Sequence, residues 1–399
     1  MFMMKRKALL CLPVCLSTLV SMHSLANNQD ARSFAMGGVG VSTSNFLTSS
    51  LHNPALAAKF DNSDDIGFLF PSFAANVNNI ADTVDNIENF SDVYDEFKSI
   101  ATPTLDDAQK VVDELYSLQG DPASINAGSQ IALAIPNDIV AVNLYAQAYV
   151  DAMVFADIAD TDLEADNILN QDLNSNALTM GVLVSEFGVT LAKYHQFDNS
   201  TLYYGLTPKY QTVDTINFVS NIDNVDFDDW DNDSYQNSEG NMNVDLGIAY
   251  QHQNGFGLGL AAKNLLKQSY ETESISGVQG HYEITPVYTL GGHYESSFVI
   301  AALDIQLNES EGYSKVTGIN TNFNSDNDNR QFASLGVEFV PMNWIKLRAG
   351  YRSDLSDNID DSITAGIGFS VVNIFHIDLS GSYSDNNNMG AAAQTSFTF

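Results

Sequence analysis

Most of this chain alternates apolar residues with polar or small ones at period two. From Gly240 to His252, Met242, Val244, Leu246, Ile248 and Tyr250 interleave with Asn243, Asp245, Gly247, Ala249 and Gln251, which on a pleated strand puts the apolar set on one face and the polar set on the other. Phe256, Leu258, Leu260 and Ala262 continue the pattern after Asn254-Gly255, a dipeptide suited to a tight hairpin. It returns in Val299, Ala301, Leu303 and Ile305, in Leu335, Val337 and Phe339, and in Ile363, Ala365, Ile367 and Phe369. Fourteen such segments lie near 66–76, 127–135, 139–155, 177–195, 201–217, 241–252, 256–269, 281–294, 298–307, 331–340, 344–353, 362–371, 375–384 and 390–399. Each is long enough for the roughly 9–11 residues that a tilted strand needs to cross a bilayer. The connections between them are alternately short and mostly longer, the long ones rich in Asp and Asn. This predicts an all-β membrane fold, a closed antiparallel β-barrel of fourteen strands, apolar outward, with both termini on the short-turn side. Leu246→Arg should then cost about 2–4 kcal/mol, and Asp245→Asn, facing the lumen, little.

The period changes once. Ile80, Val84, Ile87, Val93, Phe97 and Ile100 recur at three and four, with acidic residues mainly on the other faces. Thr104, with Asp107 three residues on, reads as the N-cap of a second helix carrying Leu105, Ala108, Val111, Val112 and Leu115 and ending at Gly120. A helical hairpin at 78–120 is therefore inserted between strands, its apolar faces packing on each other or on the strand wall.

Before the first strand lies Ala31 to Ala58, in which only Arg32 is ionised. Gly37, Gly38 and Gly40 let the backbone pack closely, and Asn53-Pro54-Ala55 reads as a turn. The segment is too apolar for a solvated tail and too short to fold alone. Two readings stand, an N-terminal wall strand with its turn or a plug over 27–64 lying inside the barrel of 65–399.

Charge and targeting narrow the class. Lys5-Arg6-Lys7, the apolar run Ala8 to Val20 and Ser24-Leu25-Ala26 form the three parts of a secretory signal peptide over 1–26, with cleavage expected after Ala26. Cys11 and Cys15 would leave with it, taking disulfide and thiol chemistry out of the mature chain. With 16 basic against 50 acidic residues, a net charge of −34, nucleic acid is not an expected partner.

The final residues place Phe397 and the terminal Phe399 on one face, similar to the insertion signal of bacterial outer-membrane barrels, although Gln394 stands where that signal often has glycine. With ARSFAMGGVGVSTSN and HNPALAA near the N-terminus, GLAAKNLL at 259–266, ITPVYTLGGHY at 284–294 and LGVEFVPMNWIKLRAGY at 335–351, the mature chain resembles the TraF-like outer-membrane proteins (conjugal transfer protein TraF), themselves similar to FadL-type and PorV-type barrels. Asn53-Pro54-Ala55 matches the NPA motif of the FadL hatch. The resemblance implies a fourteen-stranded outer-membrane barrel with a hatch at Gly37, Gly38, Gly40, Asn53, Pro54 and Ala55. It also implies passage of apolar or fatty-acid-like ligands, contact with outer-membrane lipid and with the barrel insertion machinery, and a label of conjugal transfer.

Lys209, Lys263, Lys346, Arg348 and Arg352 share the parity opposite the lipid-facing residues, as do Asp304 and Glu338. Either these charges pair across the lumen, or Lys346, Arg348 and Arg352, set against one nearby Glu338, leave positive charge for the carboxylate of an amphipathic substrate. Asp229, Asp231 and Asp233 have the spacing of a calcium loop, but Ser234 replaces its glycine and Glu239 falls one residue short, so a solvated outer loop is the alternative. No cofactor motif, G-x-S-x-G elbow or metal-spaced His pair appears. Transport leads as the expected function, ahead of a structural or assembly role in the envelope and, last, an enzyme.

Overall fold

A computed structural model describes residues 30–399 apart from 62, 79, 120–122, 170–172, 223–232, 321–328, 373 and 385–387. The segment 31–58 contributes no wall strand. It forms two short helices, α1 (Ala31–Ala35) and α2 (Ser49–His52), and a 3-10 turn at Pro54–Ala58. The wall begins with β1 (Gly67–Asn78), followed by the helices α3 (Ile80–Ser99) and α4 (Leu105–Ser117). Then come β2 (Ala123–Ile135), β3 (Ala141–Asp157), a small helix α5 (Ala165–Ile168), β4 (Asn176–Gln196), β5 (Ser200–Asn221), β6 (Gln236–His252) and β7 (Phe256–Lys263). After β8 (Gln268–Glu271) and β9 (Gln279–Ile284) the wall resumes with β10 (Val287–Glu295) and β11 (Val299–Gln306). Past β12 (Tyr313–Thr317) it continues as β13 (Phe332–Met342), β14 (Ile345–Asp354), β15 (Ser362–Val371), β16 (Phe375–Ser384) and β17 (Met389–Thr398).

Fourteen of these strands close an antiparallel barrel in chain order, skipping β8, β9 and β12, and β1 seals it by pairing with both β2 and β17. At the seam Phe68 lies opposite Phe397, and Phe399 exchanges backbone hydrogen bonds with Ile66. Along β6 the two faces separate as the alternation demands: Met242, Leu246, Ile248 and Tyr250 are exposed on the outside, while Asn243 and Asp245 are fully buried within. The outward set, with Leu206, Leu258, Leu290, Leu335 and Leu379 among its members, forms the apolar band of a membrane-spanning barrel. No described helix is long and apolar enough to cross a membrane.

The hairpin of α3 and α4 stands at the long-loop end, its start fixed by a reciprocal capping box between Thr104 and Asp107. Phe90, Tyr94, Val111, Val112 and Leu115 pack together and onto Ile158, Ile168 and Leu173 of the next loop. The apolar faces thus meet each other and the loop that carries α5, with Ala156 at the end of β3 packed against them as well. α4 ends at Ser117, and Gly120 lies outside the described residues.

The structure corrects two of the alternating segments. Residues 256–269 and 281–294 are not single wall strands: the chain leaves the wall at Asn264, which has φ 53°, and β8, β9 and β12 make a separate three-stranded sheet. The cause is polar. Asp245 accepts a hydrogen bond from Asn264 N at 2.7 Å, and Asn243 bonds both the N–H and the carbonyl of Leu266, pulling the strand inward off β6. Tyr270, Tyr282, Ile284 and Tyr313 of the small sheet then bury against Tyr149, Met153, Met180, Val182, Val184 and Val213 on the inner wall. The sheet therefore roofs the lumen toward the long-loop end. β6 pairs with β7 only from Leu246 to Gln251, although it pairs with β5 along its whole length.

Candidate functional site

The lumen is filled by 31–58, called the hatch from here on, and it is bolted to strands right around the ring. Gly40 N and Val41 N both donate to Asp304 of β11, at 2.7 and 2.9 Å. Arg32 reaches Glu338 of β13 at 3.0 Å, and Ala31 N donates to Gln394 of β17. Thr364 of β15 accepts from Gly37 N and donates to the Ala35 carbonyl. Asn143 of β3 donates to the Phe46 and Leu47 carbonyls, and Lys263 of β7 to that of Leu51 at 2.8 Å. Asn53 spans the hatch itself: its amide donates to Val41 O and to Ile248 O of β6, while its oxygen caps the Pro54–Ala58 turn at Ala55 N. Gln394, the position where the terminal signal has lost its glycine, is thus a hatch contact, and it accepts from Ser72 as well.

Between these bolts the wall offers bare backbone. A Cβ on Gly350 would lie 2.2 Å from Gly37 N, one on Gly336 2.4 Å from Met36 O, one on Gly259 2.3 Å from Val41 O and one on Gly247 1.9 Å from the Asn53 side chain. The seat therefore needs glycine, because the hatch backbone lies where side chains would project. Within the hatch, Gly37 and Gly38 have φ of 72° and 100°, a region open to them at no steric cost. A Cβ on Gly40 would strike the His52 ring at 2.4 Å. His52 in turn stands 3.4 Å from the buried carboxylate of Asp30, which also caps α1 at Arg32 N. Burial raises the Asp30 carboxyl, but the His52 imidazole beside it, with Arg32 and Thr48 adding to it, brings it net below its ordinary value.

The inward charges form two buried networks. Lys209 of β5 lies 3.3 Å from Glu186 of β4 and 3.1 Å from Asp245 of β6, with all three side chains at most 3% exposed. Asp245 is half of a buried ion pair, which corrects the expectation that Asp245→Asn costs little: removing one partner leaves charge stranded in a dry site. The second network corrects the count of cations against one Glu338. Arg348 of β14 grips Glu338 and also Asp378 of β16, both at 2.6 Å, and Arg32 shares Glu338 from the hatch side. The surplus positive charge is therefore not at Arg348. Lys346 is half-buried on the same face. Glu186 and Asp378 were legible as inward positions by the same parity that picks out Lys209 and Arg348, but nothing in the sequence says which strand each would reach.

Above the hatch and under the roof sheet lies a cavity of about 190 Å³. Gly38, Val41, Leu51 and His52 form its floor, Tyr282, Ile284 and Thr285 its roof, and Tyr149, Val287 and Phe332 part of its sides. Asp151, Lys263, Asp304, Arg330 and Arg352 also face it. Arg352 stacks on the Phe332 ring with its guanidinium carbon 3.4 Å from the centroid, and the two together separate this cavity from a second of about 30 Å³. Asp233 opens a 3-10 turn, Asp233–Tyr235, while Asp229 and Asp231 lie outside the described residues. Among the described residues no three His, Cys, Asp or Glu side chains are grouped to hold a metal. At the chain end, Phe397 packs on Phe375 with centroids 5.0 Å apart, and Phe399 is exposed.

The same architecture is found in solved structures of low sequence identity. The Ralstonia pickettii toluene transporter TbuX superposes with a TM-score of 0.52 at 10% identity, over 95% of this chain and 100% of that one. The monoaromatic hydrocarbon channel CymD gives 0.54 at 12%, over 92% and 97%. A Pseudomonas aeruginosa FadL homologue gives 0.50 at 12%, over 95% and 99%. At these identities the likeness is one of fold, a FadL-type outer-membrane barrel. No curated protein matches the sequence. The family model described as "F plasmid transfer operon, TraF, protein" matches residues 50–305, which span the hatch's NPA turn, the helical hairpin and the wall as far as β11, and on that match the chain belongs to this TraF family.

Proposed function

We propose that the protein is a non-catalytic barrel of the bacterial outer membrane, exported by the 1–26 signal with cleavage after Ala26, that passes hydrophobic or amphipathic small molecules passively. The observation that carries this reading is the compartment between roof and hatch, in a fold that hydrocarbon channels also have. Its lining is mixed, with Tyr149, Tyr282, Phe332 and the aliphatic Val41, Leu51, Ile284 and Val287 set among many polar and charged groups, so it can take a small molecule that has both an apolar and a polar part. The notch beside β6, where the wall strand turns inward, supplies a second boundary at which the compartment is not fenced by paired backbone. Purified protein in liposomes should admit a neutral monoaromatic such as toluene without an energy source, and deletion of Ala31 to Ala58 should leave a folded barrel of larger conductance. The family description supports a second reading, an envelope component associated with conjugal transfer. A folded barrel that shows no protein-dependent permeation would overturn the transport reading in favour of that one.

A further inference from the structure

The charges around the 190 Å³ cavity are unequally committed. Asp304 is held by the two hatch N–H groups, and Asp151 accepts from Asn126. Glu283 and Glu311, also on the lining, are held by Lys267 at 2.5 and 3.6 Å. Lys263 donates to Leu51 O, and Arg330 to Asn126 at 3.4 Å. Arg352 differs: among the described residues it forms no ion pair, and its contact is the face of Phe332. The carboxylate two residues on, Asp354, is occupied with the N–H groups of Gln331, Ser356, Asn358 and Ile359. Another cation, Arg330, lines the same cavity.

A guanidinium lying flat on a ring keeps its N–H edge free for a planar anion, and carboxylate matches that edge in a bidentate fork. The size of the compartment limits what the anion can carry, since a cavity of about 150 Å³ is enough for one benzene. Tyr149, Tyr282 and Phe332, with Val41, Leu51, Ile284 and Val287, supply the apolar lining for such a ring. We infer that this cavity takes a monoaromatic carboxylate of benzoate size, with the carboxylate on Arg352 beside Arg330 and the ring between the hatch floor and the tyrosines of the roof and wall. The assignment rests on the proposed passage of small molecules and narrows its substrate class.

Calorimetric titration of the full chain in detergent, with benzoate and its neutral counterpart benzyl alcohol as probes, tests it. Benzoate should bind at least tenfold more tightly than benzyl alcohol. Arg352→Gln should remove that advantage and change benzyl alcohol affinity less than threefold, with the barrel's heat-modifiable gel mobility retained. Phe332→Leu, which removes the platform and keeps the charge, should weaken benzoate by several-fold. Equal affinity for the two probes in the unaltered protein, or benzoate binding indifferent to Arg352→Gln, would overturn the carboxylate site and leave passive passage of neutral molecules standing. Absence of binding by either probe, together with absence of toluene permeation, would remove both readings.

Discussion

Gly291 and Gly292 are adjacent on β10 and face opposite sides of the wall, so the same methyl group added at each asks whether the hatch is seated by close fit. At Gly291 a Cβ would lie 2.3 Å from Asp304 Oδ1 and 3.1 Å from Val41 Cβ. The aspartate is cross-strand from it and is the group that receives Gly40 N and Val41 N. It is too short to swing clear while keeping both bonds. Forcing the contact costs about 1–3 kcal/mol by overpacking, and each charge-assisted hydrogen bond lost costs roughly 1.5–3 kcal/mol. A net penalty of about 2–4 kcal/mol falls on the seated state, which at about 1.4 kcal/mol per factor of ten raises the fraction of unseated hatch by roughly 30- to 700-fold. At Gly292 the nearest atoms are Leu258 Cδ2 at 3.4 Å and Gly257 O at 3.9 Å. That substitution meets only ordinary contacts and should be neutral or stabilising by up to about 1 kcal/mol. Single-channel recording in planar bilayers should show frequent openings for Gly291→Ala and none beyond the unaltered protein for Gly292→Ala, with faster hydrogen exchange at the Gly40 and Val41 amides in the first variant alone. Identical behaviour of the two variants would refute the argument that the hatch is held by its fit to the wall.

On β6, Leu246→Arg should cost about 2–4 kcal/mol in unfolding from bilayers because it faces lipid, and Asp245→Asn about 3 kcal/mol because Lys209 loses a buried partner; a silent Asp245→Asn would mean that Glu186 alone suffices for Lys209. Asp30 sets a pH limit on the hatch: its carboxyl is net lowered in the folded protein, so its contribution is present above the unfolded value of about 3.9 and is lost as pH falls through the lower folded value. Conductance should therefore be flat down to about pH 4 and rise below it, with Asp30→Asn open at neutral pH; a rise already complete at pH 5 would assign the transition to another group.

The period-two alternation determined the barrel, the facing of Leu246 and Asp245, and the strand order, because a pleated strand has two faces and consecutive strands joined by short turns can only lie side by side. The change to a period of three and four determined the helical hairpin in the same local way, and its Thr104 cap needs only residues three apart. What alternation cannot report is which apolar surface a strand meets. Tyr270, Tyr282 and Ile284 carry the pattern of lipid-facing residues, yet they lie inside the lumen, since hydrocarbon and the inner faces of Met180, Val182 and Val213 are equally good places for a tyrosine or isoleucine. The hatch left two readings open for a related reason: a nearly uncharged, glycine-rich segment suits an edge or an interior, and only the ring of wall glycines, each harmless on its own strand, decides for the interior once the barrel brings them to one level. Parity likewise placed Arg348 and Arg352 on the same inner face, four residues apart. The tertiary structure made them different, because strand register set Asp378 and Glu338 against the first and the ring of Phe332 against the second.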